Sequence, residues 1–196
     1  MVKKPFHFLL HIGLLIALGL NLAGCNKPDA KEEAAAFKPG ASLQEIMLSI
    51  IDPNADHVWN SVSIIITDKG VEEHSPKTDE EWAEVRQHAI TLAEAANLLL
   101  ITGRKVAHEG AETSTHPVEL GAEHIEQAIA KDRAAFIASA HLLHTAVYEA
   151  IIAIDKKDPD DLMRAGEHIQ QACEACHAKF WYPDEKTPTF PSLSGS

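Results

Sequence analysis

The sequence predicts an all-α protein, an up-down-up-down four-helix bundle. Two observations lead to this prediction. Four segments between residues 42 and 182 place apolar side chains at alternating three- and four-residue steps, the spacing of an amphipathic helix. Helix-start signals at Ser42, Thr78 and Asp158 precede three of them, and no credible sheet competes. Helices of this kind bury their apolar faces against one another.

The first helix is predicted to begin at Ser42, with Glu45 completing a capping box. Asp52-Pro53 predicts a bend or a restart, after which the helix continues to about Thr67. The run 63–67 favours a strand by propensity, but no partner strand is evident. The predicted apolar stripe is Leu43, Ile46, Met47, Ile50, Val58, Val62 and Ile65.

The second helix follows a polar loop, 68–77, and a capping box formed by Thr78 and Glu81. Its heptad-like seam is Trp82, Val85, Ala89, Leu92, Ala96 and Leu99. Gly103 is expected to end the helix, and 104–116 is predicted to be a loop.

The segment 118–129 is predicted to be a short helix or the first part of a longer one. From Asp132 a clear helical stripe begins, and Asp158-Pro159 then starts the last helix. The inner face of the last helix is predicted as Leu162, Ala165, Ile169, Cys173, Cys176 and Phe180. Residues 183–196 contain three prolines and are predicted to form a disordered tail.

Residues 1–24 read as a secretory signal peptide, with lysines before an apolar run and small residues at its end. Leu22-Ala23-Gly24-Cys25 resembles a bacterial lipobox, which predicts lipidation of Cys25. The alternative is an ordinary cleaved signal that leaves Cys25 free. Residues 25–40 are interpreted as a lipidated tether and 41–182 as one folded domain.

The charge of the chain limits its partners. The full sequence carries a net charge of −12, and loss of residues 1–24 removes two lysines and no acids, which leaves −14. So acidic a chain is a poor ligand for nucleic acid or anionic lipid. We expect a basic protein partner, and membrane attachment only through the lipid anchor. The sequence does not determine the oligomeric state, and a homodimer is one of the alternatives.

Cys173-Glu174-Ala175-Cys176-His177 has the Cys-x-x-Cys-His spacing at which a c-type haem is attached. Each thiol bonds to one haem vinyl group, and the imidazole becomes the proximal iron ligand. A thioredoxin-like redox pair would sit in a βαβ context, and a zinc site would need two further ligands at paired spacing. The sequence shows neither, so the motif predicts one covalent haem c.

The segment 136–180 resembles the last two helices of the class II c-type cytochromes, the cytochrome c-prime and cytochrome c-556 group. The shared features are an Ala/Leu-rich third helix, an acidic break at 155–161 and the attachment motif near the end of the chain. The chain departs from the family in three places. Residues 117–131 resemble an insertion, Trp181 stands where many members have Arg, and Pro53 interrupts the first helix.

The resemblance implies one of two axial arrangements: a Met from the first helix as sixth ligand, or an unliganded position that binds NO or CO. Met47 lies ~7.5 Å into the first helix and His177 ~6 Å from the end of the last, so the two are nearly level. Met163 is about 21 Å from His177 along its helix, and His57 is roughly 15 Å beyond Met47. Met47 is therefore the predicted distal ligand, with a core packing role as the alternative.

The remaining candidates are weaker. Arg104 and Lys105 follow the second helix at the haem-bearing end and are candidate propionate contacts. His141, His144 and His168 are expected to be ordinary surface or seam residues.

The favoured function is electron transfer by a lipid-anchored cytochrome c that faces the periplasm, with no catalytic residues. One alternative is a five-coordinate gas-binding protein on the same scaffold. Another, from a different class, is a haem-free helical lipoprotein that acts as an interaction module.

Overall fold

The computed structural model describes residues 37–183. The predicted signal peptide, Cys25 and the predicted tail beyond residue 183 lie outside the described residues, as does most of the tether. The described part is mostly helical, as the sequence predicts.

The elements follow one another in this order along the chain. They are α1 (Leu43–Ile46), a π-helical segment (Met47–Ile51), α2 (Asp52–Asn60), β1 (Ser63–Thr67), β2 (Gly70–His74), α3 (Asp79–Leu98), α4 (Ala122–Lys131), α5 (Arg133–Lys156) and α6 (Pro159–Phe180).

The predicted helix starts are confirmed by their capping hydrogen bonds. The hydroxyl of Ser42 accepts from the Glu45 N–H, and Glu45 in turn accepts from the Ser42 N–H. Thr78 starts α3 with the same reciprocal pair. Asp132 and Asp158 cap α5 and α6 by accepting from backbone N–H groups three residues on. Each cap satisfies donors that a helix start otherwise leaves unpaired.

The first helix contains a π-helical segment that the sequence analysis did not predict. The Asp52 N–H donates to the carbonyl of Met47, five residues back. This wider turn lies directly before Pro53, whose ring would clash with the carbonyl four residues back in a regular α-helix. The extra residue shifts the apolar stripe, so Ile51 is buried while the predicted Ile50 is only partly buried.

The prediction that the first helix continues to about Thr67 is wrong. The helix ends at Asn60, and β1 pairs with β2 in an antiparallel hairpin. The turn is closed by Thr67, whose hydroxyl donates to the Gly70 carbonyl at 3.1 Å, and Gly70 adopts φ +129°. The strand propensity of residues 63–67 therefore outweighs their helical spacing. The strand that pairs with them is the polar segment 70–74, whose own sequence gives almost no strand signal.

The segment after Pro117 forms a short helix, α4, separate from α5. Asp132 separates the two helices, because its backbone is not helical (φ −135°, ψ 59°), and its side chain then caps α5. Among the described residues, α5 alone is long and apolar enough to cross a membrane. It packs against α3 and α6 and supplies much of the core, which is the behaviour of a buried helix in a globular protein.

Helix α2 packs against α3 on one side and α6 on the other. Its contact with α6 centres on Trp59, whose indole N–H donates to the Gly166 carbonyl at 3.1 Å. Trp59 Cδ1 lies only 3.2 Å from the position that a Cβ on residue 166 would occupy. A glycine at 166 therefore allows the indole to lie directly on the α6 backbone.

We expect Gly166→Val to destabilise the protein by about 1–3 kcal/mol, because the added side chain collides with the Trp59 indole and strains the packing. Urea unfolding of the full mature chain, followed by circular dichroism, measures the change.

Gln171→Val is the matched control. Gln171 is exposed on the same helix, so this variant introduces the same side chain without the collision and loses no more than ~0.5 kcal/mol of helix propensity. Equal free energies of unfolding for the two variants would contradict the packing role of Gly166.

Candidate functional site

A cavity of about 170 Å³ lies between the first helix, α5 and α6. Its lining residues are Met47, Ile51, Asp52, Ala55, Trp59, Leu99, Phe136, Ser139, Ala140, Leu143, Gln170, Cys173, Glu174, Cys176 and His177. Most of the wall is apolar. The exposed residues Asp52, Gln170 and Glu174 mark the rim, where the cavity meets solvent.

All three residues of the predicted attachment motif line this cavity. Cys173, Cys176 and His177 occupy positions i, i+3 and i+4 of α6, which fall on one face of a helix. Each is partly buried, and both cysteines are free thiols. The local helix therefore presents two thiols and one imidazole to the same space.

Burial governs the acid-base chemistry of the thiols. The pKa of Cys173 rises to about 11, mainly through desolvation and further through the neighbouring Cys176 and Asp52 charges. Desolvation also raises the pKa of Cys176, opposed by a hydrogen bond from the Ser139 hydroxyl. Both thiols are consequently protonated at neutral pH.

His177 and Asp52 interact across the mouth of the cavity. Desolvation lowers the pKa of His177, and the negative charge of Asp52 opposes that shift. Desolvation raises the pKa of Asp52, and the charge of His177 opposes it in turn. The imidazole is therefore favoured in its neutral form, the form in which a histidine binds a metal.

Met47 lines the same cavity as the motif, from the opposite helix. It begins the π-helical segment, and its carbonyl accepts from the Asp52 N–H at the end of that segment. Both residues line the cavity. The structure thus brings Met47 and the attachment motif to the same cavity. That Met47 is an iron ligand stays a prediction.

Arg104 and Lys105 do not line this cavity. The guanidinium of Arg104 donates to the carbonyls of Leu98 and Ala41, and Lys105 lies 3.5 Å from the Glu126 carboxylate. Their predicted contact with haem propionates thus has no geometric support.

Met163 and the three remaining candidate histidines lie elsewhere. Met163 lines a separate cavity behind Trp59. His168 hydrogen-bonds Glu149 at the surface, His141 is exposed, and His144 packs on Tyr148. None of these side chains borders the cavity that holds the motif.

Sequence reasoning missed several lining residues, above all Asp52, Trp59 and Ser139. Asp52 lines the cavity directly after the π-helical segment, and the sequence analysis did not predict that segment. Ser139 lies one residue before Ala140, which belongs to the apolar stripe that the sequence predicts for this helix: Phe136, Ala140, Leu143, Val147, Ile151 and Ile154. A search of that helix for small residues beside the stripe would have found it.

The segment between α3 and α4 folds over the end of α6 beside His177. The indole N–H of Trp181 donates to the Thr113 carbonyl at 3.0 Å, and the Leu120 N–H donates to the Trp181 carbonyl at 2.7 Å. The Trp181 ring meets the His177 ring edge-on at 5.2 Å. Trp181 therefore joins the segment 104–121 to the wall behind the imidazole.

Two thiols, an imidazole and a thioether on the walls of one cavity form a donor set that fits a covalently attached haem. The volume is below the ~300–1,000 Å³ of common small-molecule sites. A large planar group would therefore occupy both the cavity and its open rim.

We expect Trp181→Phe to increase opening of the segment 104–121 by roughly fivefold, since it removes one hydrogen bond worth ~1 kcal/mol. Hydrogen exchange of the amides at 113–120 measures this opening.

Tyr182→Phe provides the control, because it removes the neighbouring hydrogen bond to Glu174 and leaves Trp181 intact. Exchange that is unchanged by Trp181→Phe would mean that the indole does not hold the segment.

Comparison with known proteins adds no family: no protein-family profile, no curated protein and no solved structure matches this chain.

Proposed function

We propose that this protein is a c-type cytochrome that transfers electrons at the periplasmic face of a bacterial membrane. In this proposal the chain folds as a four-helix bundle and carries one haem c on Cys173 and Cys176. The observation that carries it is the meeting of the whole attachment motif and Met47 in one cavity. The anchor would be lipid on Cys25.

His177 is the proposed proximal ligand and Met47 the proposed distal ligand. A haem held by these residues supplies one-electron redox chemistry at its iron. The protein contributes burial: Ile51, Phe136 and Leu143 line the cavity with apolar surface and restrict water near the site. Low polarity around the iron and the choice of axial ligand set the reduction potential.

The charge distribution supports a basic redox partner. Asp52 and Glu174 lie exposed at the rim of the cavity, the place at which electrons would enter or leave. The mature chain would carry a net charge of −14. An acidic rim on an acidic protein attracts a basic surface and accelerates its association at low ionic strength.

A gas-binding cytochrome is the second candidate, and one observation favours it. Ile51, Ala55 and Leu143 line the same cavity as Met47 with apolar surface. If the thioether does not bind iron, this wall leaves an apolar space that suits a small diatomic ligand such as NO or CO.

We expect the protein produced with haem-maturation factors to stain for haem peroxidase activity on a denaturing gel, because thioether bonds survive denaturation. The double variant Cys173→Ala/Cys176→Ala should lose the band completely.

Cys25→Ala is the control: it removes the third cysteine, and with it the lipid, while keeping both attachment thiols. Its haem band should remain. A colourless wild-type protein under these conditions would refute haem attachment and favour the haem-free lipoprotein.

We expect oxidised wild-type protein to be low-spin, with a weak sulfur-to-iron band in the near infrared, because Met47 binds the iron. Met47→Ala should lose that band, become high-spin and bind CO readily when reduced.

Met163→Ala is the matched control, since Met163 borders a different cavity and its loss should leave the spectrum unchanged. A wild-type protein that is already high-spin and insensitive to Met47→Ala would move the gas-binding function to first place.

A further inference from the structure

Two histidines and a glutamate from two helices meet away from the cavity that holds the motif. His57 lies on α2, whereas Glu84 and His88 lie on α3. One ligand atom from each side chain lies within 4.8 Å of those of the other two. None of the three lines the cavity of Cys173 and His177, so the cluster is independent of the proposed haem site.

The hydrogen bonds of Asn54 determine which nitrogen of His88 is free. The Asn54 amide Nδ2 donates to the Ile50 carbonyl at 2.6 Å, so its Oδ1 is the atom that faces His88. His88 Nδ1 lies 2.8 Å from that oxygen and must donate to it. The proton is therefore on Nδ1, and Nε2 keeps a lone pair, as in histidine ligands held by an outer-shell acceptor.

The other two side chains lie beside His88. The rings of His57 and His88 stack face to face, with centroids 3.7 Å apart and planes inclined by 21°. One ring must rotate out of the stack before a nitrogen of each can point at the same ion. Glu84 precedes His88 by four residues and so lies on the same face of α3. Its side chain is exposed and turned toward the pair, while both histidines are partly buried.

We propose that His57, Glu84 and His88 bind one divalent transition-metal cation of the Zn²⁺ type, with water completing the coordination. Two imidazoles and one carboxylate with an open position are a recurrent Zn²⁺ ligand set. Ligand atoms at about 2.0–2.2 Å from one Zn²⁺ in tetrahedral geometry lie about 3.4 Å apart. Side-chain rotations that bring the three ligand atoms closer by up to roughly 1.4 Å would therefore assemble the site. The bound ion would link α2 to α3.

Asn54 acts in this site as a positioning residue. Its amide connects His88 to the carbonyl of Ile50 in the π-helical segment, so the orientation of the imidazole depends on the backbone of the first helix. Loss of such outer-shell partners typically weakens metal binding about 10–100-fold.

Isothermal titration with Zn²⁺ tests the proposal, both in the haem-loaded mature chain and in the haem-free Cys173→Ala/Cys176→Ala variant, because free thiols at the attachment motif would themselves bind Zn²⁺. We expect one ion per chain at micromolar or lower concentrations. His57→Ala, His88→Ala and Glu84→Gln should each weaken binding by more than about tenfold, since a direct ligand matters at least as much as an outer-shell partner. At a hundredfold excess over the dissociation constant, Zn²⁺ should raise the melting temperature by roughly 5–10 °C.

Two further variants separate metal binding from simple helix packing. Asn54→Ala should weaken Zn²⁺ binding, and Asn54→Asp should restore it, because aspartate keeps the acceptor for His88. His168→Ala, which removes a surface histidine paired with a carboxylate, is the control and should have no effect.

The absence of binding in the micromolar range would overturn the proposal, as would equal affinity in wild type, Glu84→Gln and the two histidine variants. The stacked rings would then serve only to pack α2 against α3. Because Glu84 is exposed, Glu84→Gln should fold normally, so a loss of binding in that variant cannot be attributed to unfolding.

Discussion

The contact between the Trp59 indole and Gly166 sets how closely α2 approaches α6. Because Gly166 has no side chain, the indole packs on the helix backbone and donates to its carbonyl at 3.1 Å. Trp59 also lines the cavity that holds Cys173, Cys176 and His177. The contact therefore helps to set the position of the cavity wall that α2 supplies.

Two faces of helix α2 contribute to different sites. Ala55 and Trp59 face the cavity of the attachment motif, whereas Asn54 and His57 face α3. The Asn54 amide reaches back to Ile50, inside the π-helical segment that also carries Met47. A change in that segment is thus expected to alter both the cavity and the His57–His88 cluster, and a cation bound at the cluster would stiffen the same helix.

The sequence predicted what local chemistry determines: the capping residues at Ser42 and Thr78, the helical class, and the motif on the last helix. It failed at the π-helical segment, which the helix could also have avoided by ending before Pro53, and at the hairpin, where strand pairing decides. The π-helical segment depends on strain at Pro53 and shifts the buried face by one residue, which brings Ile51 and Asp52 to positions that a regular helix would deny them. The hairpin was missed because 70–74 becomes a strand only through its pairing with 63–67.

The central claim is that Cys173 and Cys176 hold one haem by covalent bonds. Intact-mass spectrometry of the denatured full chain, produced with haem-maturation factors, tests it most directly, because denaturation releases any haem that is held only by its ligands. The account predicts a mass that exceeds that of the lipidated mature polypeptide by one haem, and the Cys173→Ala/Cys176→Ala variant should lack this increment. A wild-type mass without the haem increment would contradict it.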